Sequence, residues 1–291
     1  MSLKKGFEIL KSAVFDFAED DAMTLAAALA FYAALSMAPL LLILLAVTSL
    51  LGPDVQKQVI EQVQNTVGTQ AGGVIGDIVQ RGGQHRSAGW ISAIVGFLVL
   101  VFSATGAFGQ MQYSLNRIWE VQPKATTVWL WLRKRLLSLL LILGIGLVLL
   151  VSLGLSAAIN LMFAGTSGYL WQIANGVGML LIYILLFALI YKILPDVEIA
   201  WKDVWVGAVI TGVLFEIGRF GIGWYLGRSG VGSPYGAAGS LIVILLWIYY
   251  ASLIFFLGAE LAQTWAVFHG RGMRPNRYAE KTPNTQQEQD G

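Results

Sequence analysis

Gly239-Ser-Leu-Ile-Val-Ile-Leu-Leu-Trp-Ile-Tyr-Tyr-Ala-Ser-Leu-Ile-Phe-Phe-Leu-Gly-Ala-Glu-Leu-Ala262 holds a single charge, Glu260. A run this long and apolar is favourable only in hydrocarbon, where about 20 such residues cross the bilayer core. It extends to a span over 239–266. A second run, 204–226, precedes it across the turn Gly227–Ala238 and carries Glu216 and Arg219 near its middle. An acid and a base inside a span are costly and need a local reason.

Working outward, the same criterion gives spans at about 24–51, 89–110, 136–163 and 169–193, six in all. The expected fold class is all-α: a polytopic membrane bundle of six transmembrane helices, with short amphipathic helices at the N-terminus and between spans one and two. Composition agrees. The 291 residues are 56% hydrophobic and 12% charged, where soluble domains carry about 25% charged residues. Mean hydropathy is +0.68.

Residues 1–23 repeat Phe7, Leu10, Val14 and Phe17 at helical spacing among Lys and acidic residues, which predicts an amphipathic cytoplasmic helix on the membrane surface. The mixed charges and the length of the run that follows argue against a signal peptide. Residues 52–88 carry two valine- and isoleucine-rich stripes broken at Gly72-Gly73, which predicts an extracytoplasmic amphipathic cap. The polar segment 269–291 is expected to be a disordered cytoplasmic tail. Fourteen Lys and Arg fall on the side of the termini and four on the other, so both termini are expected in the cytoplasm.

Candidate functional residues follow from the spans. Ala26, Ala30, Ala34 and Ala38 make a smooth packing face on the first. Pro39 cannot bond the Leu35 carbonyl and should bend that helix. Tyr32, Ser36 and Pro39 share a side, with Ser36 available to the freed backbone. Ser103, Gly106, Gln110, Tyr113 and Arg117 form a polar stripe along the second span and its extension toward Trp119. On the fifth span Ala208, Gly212, Glu216, Arg219 and Gly223 share one face, and Glu216 and Arg219 are i,i+3 neighbours able to pair. They read equally as a ligand or proton site and as a self-neutralised packing pair. On the sixth, Tyr249, Phe256, Glu260 and Gln263 share a side. Glu260 lies near the cytoplasmic end, where an interfacial or packing carboxylate is the plainer reading.

Enzyme signatures are missing. Cysteine is absent, and the two histidines, His85 and His269, fall on opposite expected sides. No His-Glu-x-x-His, P-loop or serine elbow occurs. The near-neutral charge of +2 makes no case for nucleic acid. The expectation is a protein that is not an enzyme, with no metal or cofactor, whose partners are membrane lipids; small-residue faces permit a homo-oligomer.

Several segments together resemble one family. They are 28–40 (Ala-Leu-Ala-Phe-Tyr-Ala-Ala-Leu-Ser-Met-Ala-Pro-Leu), Asn116-Arg-Ile-Trp119, Leu194-Pro195, Tyr235-Gly236, Leu246-Trp-Ile-Tyr249 and Leu257-Gly-Ala-Glu-Leu261. In this order, over about residues 20–268, they resemble the YihY / BrkB family of bacterial inner-membrane proteins. The chain departs from the pattern after Leu261, where Ala262-Gln263 stands in place of a common Asn. The resemblance implies a six-span inner-membrane protein. Family labels range over ribonuclease, virulence or serum-resistance factor and transporter. The ribonuclease label finds neither a metal cluster nor a basic face in these residues.

The functional expectation is a transporter or lipid/amphiphile translocator of unknown substrate, whose path uses Tyr32, Ser36, Pro39, Ser103, Gln110, Arg117, Glu216, Arg219, Tyr249 and Glu260. The alternative is a non-transporting scaffold for envelope assembly, using 52–88 and the N-terminal helix.

Overall fold

The computed structural model describes residues 3–51, 61, 106–124, 144, 154, 168–229, 237–271 and 274–282. For residue 3 and for 37–51, 168–172, 222–229 and 237–241 it describes the backbone alone. The expected cap at 52–88, nearly all of the second and third spans, Ser103 and the Tyr235-Gly236 motif lie outside the described residues.

The elements are α1 (Leu3–Glu19), α2 (Ala22–Leu51), α3 (described over 106–118), β1 (Val121–Pro123), α4 (Gly168–Ile193), β2 (Val197–Glu198), α5 (Trp201–Ser229), α6 (Ala237–Phe268), β3 (Arg274–Pro275) and β4 (Ala279–Lys281). Among them α4, α5 and α6 each contain a stretch long and apolar enough to cross a membrane, and Ala22–Ser36 of α2 is a shorter apolar one. Their outer faces carry the membrane signature. On α5, Trp201, Trp205, Val209, Val213 and Ile217 recur every fourth residue and all are exposed; Ile173, Val177, Leu181 and Leu185 do the same on α4. Such unbroken apolar stripes are foreign to a soluble monomer and suit lipid. The apolar window of α6 is 50% buried, against 22% for α4 and 33% for α5, so α6 is the most enclosed of the three.

The residues group into two compact units. The first comprises 1–26, 109–214 and 252–291. In it α5 and α6 cross with their backbones in contact: a Cβ on Gly207 would fall onto the Gly258 carbonyl oxygen, and one on Gly258 onto the Thr211 hydroxyl. Glycine is needed at both positions for this close approach. A buried hydrogen-bond set seals the crossing. Thr211 Oγ1 donates to the Gly207 carbonyl at 2.8 Å, and Tyr191 Oη lies 2.8 Å from Thr211 Oγ1 and donates to the Phe255 carbonyl at 2.6 Å.

Two short antiparallel pairs complete this unit. β1 pairs with β4 in the register Val121↔Lys281, and β2 with β3 in the register Val197↔Pro275. They correct the expectation of an unstructured tail over 274–282. The segment is polar and has no core of its own, but it finds backbone partners in two interhelical links. Arg271 adds an ion pair to Asp203, at 2.6 Å and 3.1 Å, with Asp203 only 1% exposed.

The second unit comprises 27–108 and 215–251. Here Phe215 meets Trp247 edge-on at 5.5 Å, and Trp247 stacks on Tyr250 at 6.1 Å. α2 runs as one 30-residue helix through Pro39. The Ser36 hydroxyl donates to the Ala33 carbonyl at 2.8 Å, not to Leu35, whose bond the proline removes. Tyr32 packs where a Cβ on Gly106 would stand, at 3.1 Å.

Candidate functional site

Within the first unit, the N-terminal helix, the end of α3, the β1 link and the last turns of α6 enclose a cleft of about 990 Å³. α1 is oriented by its own pattern. Ile9 and Ala13 are buried on one side with Asp16 half-buried beside them, while Phe7, Leu10 and Val14 are exposed on the other. The apolar stripe expected to lie on the membrane therefore faces outward, and the face carrying Asp16 turns to the cleft.

Two acidic corners shape the rim. Asp21 ends the α1–α2 turn with φ 57°, and Glu120 ends α3 with φ 54°. Left-handed backbone costs a residue other than glycine on the order of 1 kcal/mol, which packing must offset. At Glu120 the offset includes the backbone bonds Glu120 N–H to the Arg117 carbonyl, 3.0 Å, and Thr282 N–H to the Glu120 carbonyl, 2.9 Å. The second corner sets Glu120 beside the cleft, while at the first the preceding residue, Asp20, lines it and Asp21 is exposed.

Asp16, Glu19, Asp20 and Glu120 line the cleft, with Arg117 as the one base among its described lining residues. Arg117 Nε is 3.9 Å from Asp20 Oδ1, a loose pair with the arginine side chain 40% exposed. Burial pushes the Asp20 carboxyl up to about 6; Arg117 opposes this, and Glu120, Asp16 and Glu19 add to it. Among the described residues Asp16 receives long bonds from Ser12 and Thr264, each at 3.4 Å.

Glu260 adjoins this cluster, one turn before the lining residues Gln263 and Thr264 on α6. It is 0% exposed, enclosed by the protein. Apart from the carboxyl of Asp20, with which it shares a hydrogen bond when one of the two carries a proton, no partner reaches its carboxylate oxygens among the described residues. The groups coupled to it by charge are Asp20, Asp16 and Glu120, all acids. An uncompensated carboxyl at such depth is costly and marks function more often than packing.

The wall behind the cleft is rigid. Asn116 Nδ2 donates to Asp196 Oδ2 at 2.9 Å, Gln112 Nε2 donates to the same oxygen at 3.2 Å, and the Asp196 N–H donates to Asn116 Oδ1 at 2.8 Å. All three residues are buried. They join the end of α3 to the link after α4, which explains why Asn116 and Leu194-Pro195 stand among the quoted motifs.

The described candidate path residues are divided between the two units. Arg117 and Tyr113 line the cleft. Gln110 turns to Ser114 at 3.3 Å on its own helix. Glu216 and Arg219, in the second unit, pair as the spacing allows: Arg219 Nη2 donates to Glu216 Oε1 at 2.5 Å and Nε to Oε2 at 3.2 Å. Tyr32, Ser36 and Tyr249 also belong to the second unit, Tyr249 being half-buried; for Pro39 the backbone alone is described. Sequence reasoning missed Asp16, Asp20, Glu120, Gln112 and Asp196 as site residues. Acids near a membrane surface look like ordinary solvated charge, and Gln112 with Asn116 falls on the side of α3 opposite the stripe that was read. The one available signal was the i,i+4 pair of amides, Gln112 and Asn116, just before an aromatic helix end. No three His, Cys, Asp or Glu side chains converge on a metal-sized site among the described residues.

A family model described as Virulence factor BrkB matches residues 13–282. The chain is similar to a UPF0761 membrane protein of Ralstonia nicotianae, 30% identical over 188 residues, covering 62% of this chain and 40% of that one. It is 27% identical to a UPF0761 membrane protein of Stenotrophomonas maltophilia over 266 residues, 87% of this chain and 59% of that one. A third, from Alcanivorax borkumensis, is 28% identical over 280 residues, 92% of this chain and 62% of its own length. The chain thus spans about two fifths to three fifths of the curated relatives it matches. No solved structure matches it.

Proposed function

The chain belongs to the Virulence factor BrkB family and is an integral membrane protein, and from that premise we propose that it is a transporter that moves an amphiphile across the bacterial cytoplasmic membrane. It acts by binding and release rather than by bond chemistry. The observation that carries this reading is the cleft. It is of ligand size, its polar wall (Asp16, Asp20, Gln112, Asn116) faces apolar Val267 and Phe268, and it lies under a helix whose outer face suits lipid. Membrane lipids are its partners in this reading.

The proposed topology is six spans with both termini cytoplasmic. Chain parity supports it. The start of α2, the end of α3, the end of α4, the start of α5 and the end of α6 are all tied together at this one end by the contacts of Asp20, Asn116, Asp203 and Thr264. A chain that leaves that end and returns to it three times makes an even number of crossings. Because the chain has no native cysteine, single-cysteine labelling reads the topology directly. Ser2→Cys and Asn284→Cys should resist a membrane-impermeant reagent in intact cells, and Gln64→Cys should react.

The transport reading is tested with purified full-length protein in proteoliposomes. A series of tail-labelled fluorescent phospholipids and amines is loaded into both leaflets, and inward-leaflet probe is followed as it becomes available to an external quencher. Faster exchange than in protein-free vesicles, slowed by Asp20→Asn, is the expected result. Folded protein that accelerates no member of the series would overturn it.

A further inference from the structure

We propose that α1 is an interfacial helix that binds anionic phospholipid headgroups through Lys4 and Lys11, with Phe7, Leu10, Val14 and Phe15 in the acyl region beneath them. The inference goes beyond the transport reading and does not depend on it.

The first argument is how α1 divides its residues. Lys4, Phe7, Lys11 and Phe15 follow one another at three- and four-residue spacing, with Leu10 and Val14 in the adjoining row. All six are exposed, Phe7 at 69% and Phe15 at 63%. The acids of the helix lie elsewhere. Glu8, Asp16 and Glu19 are each about 100° or more around it from Phe7, and the last two line the cleft. One face of α1 is therefore apolar and cationic, and the other, with buried Ile9 and Ala13, packs on the protein. Lys11 Nζ stands 5.8 Å from the centre of the Phe15 ring, so the lysine lies along the apolar face. A lysine placed this way rests its stem on hydrocarbon and carries its ammonium out to the phosphates.

Depth is the second argument, independent of the pattern. On the packed face Asp16 accepts a bond from Thr264 Oγ1 at 3.4 Å. Thr264 is one turn before Phe268, where the apolar stretch Ile242–Phe268 of α6 ends. Beyond α1, only Asp20 and Asp21 lead to α2, whose apolar stretch begins at Ala22. Two residues reach at most about 7 Å. The C-terminal half of α1 is thus held where two apolar helices end, and its outward face meets the bilayer interface rather than bulk water.

Charge then selects the lipid. A neutral headgroup layer would accept the phenylalanines and gain nothing from the lysines, whereas an anionic one attracts each of them. A protein partner covering this face would have to place acids opposite two lysines two turns apart, at headgroup depth. A layer of anionic phosphates supplies both the charge and the depth. On the proposed topology this is the cytoplasmic leaflet. Because Ser12, Asp16 and Glu19 of the same helix line the cleft, lipid held on one face steadies the cleft wall on the other.

The test uses the full chain in nanodiscs. There is no native cysteine, so Val14→Cys carries a single environment-sensitive fluorophore. The discs are phosphatidylcholine doped with an equal mole fraction of spin-labelled phosphatidylglycerol or spin-labelled phosphatidylcholine. Both should quench the fluorophore, the anionic lipid about fivefold more strongly, and high salt should shrink that preference. Adding Lys4→Gln and Lys11→Gln should leave the two lipids quenching alike. Should the labelled protein fail to fold, thermal melts of the unlabelled chain read the same contact. Phosphatidylglycerol should then raise the melting temperature of wild type and not that of the Lys4→Gln/Lys11→Gln variant. Absence of quenching by either lipid would mean that water or a protein covers this face, and would overturn the proposal. Equal quenching with both lysines present, a preference that survives their removal, or equal stabilisation of both proteins would overturn it as well.

Discussion

Two regions of this molecule hold charge in or beside apolar helices, and they handle it in opposite ways. Glu216 and Arg219 sit one helical turn apart on α5 and pair with each other through two hydrogen bonds. The acids around the cleft come from α1, the α1–α2 turn, the end of α3 and α6, and the one base among the described lining residues is loosely engaged. A local pair solves a solvation problem and leaves no net field. A surplus of one sign assembled from distant segments creates a field, which is what a charged ligand responds to.

The largest expected break falls on the helix crossing that holds the acidic region together. Gly258→Val drives a side chain into Thr211 and Tyr191 and should cost on the order of 3 kcal/mol, read as loss of folded protein in a detergent melt. Gly221 on the same α5 has open space around it, so Gly221→Ala should instead gain roughly 0.5–1 kcal/mol. A similar loss at both positions would mean the crossing is not special.

Next comes the wall of the cleft. Asn116→Ala removes one donor and one acceptor to Asp196 and leaves a buried carboxylate short of partners. A destabilisation of about 2 kcal/mol is expected. Asn116→Asp should do at least as much harm, because it sets a second carboxylate against Asp196; equal stability of the three proteins would remove the network from the argument.

A double-mutant cycle over Glu216→Gln and Arg219→Gln sharpens the other half of the contrast. Their coupling should be about 1 kcal/mol, and neither single variant should change the lipid exchange that Asp20→Asn is expected to slow. A variant that does change it would move the site away from the cleft.

The smallest effect is a pH dependence. Asp20 holds its proton up to about 6, against 3.8 for a free carboxyl, chiefly through burial. The folded state therefore binds the proton more tightly than the unfolded chain. Stability should fall as pH rises from about 4 to about 6 and be level above that on this account. Asp20→Asn should flatten the slope in melts taken between those limits. Above them, removing a carboxylate from a crowded cluster should leave the variant no less stable than wild type.

Much of the architecture was readable because hydrophobic length is a local property. The bounds expected for the first, fourth, fifth and sixth spans fall within two or three residues of α2, α4, α5 and α6, since about 20 apolar residues need no partner to declare a membrane helix. The Glu216–Arg219 pairing was readable for the same reason, being an i,i+3 relation on one helix. The strands β1–β4 and β2–β3 were not. Two or three residues carry no periodicity, and the partner of Val121 is Lys281, far along the chain. The same distance hid the cleft. Nothing near Asp20 in sequence says that Arg117 and Glu120 stand beside it, and nothing near Glu260 says that its neighbours are acids rather than lysines. Composition, spans and the local ion pair belong to the chain read in one dimension, because lipid burial and helical spacing act on consecutive residues. Which acids meet follows only from packing four separated segments at one end of the helices, where the electrostatics of a site are set by neighbours in space.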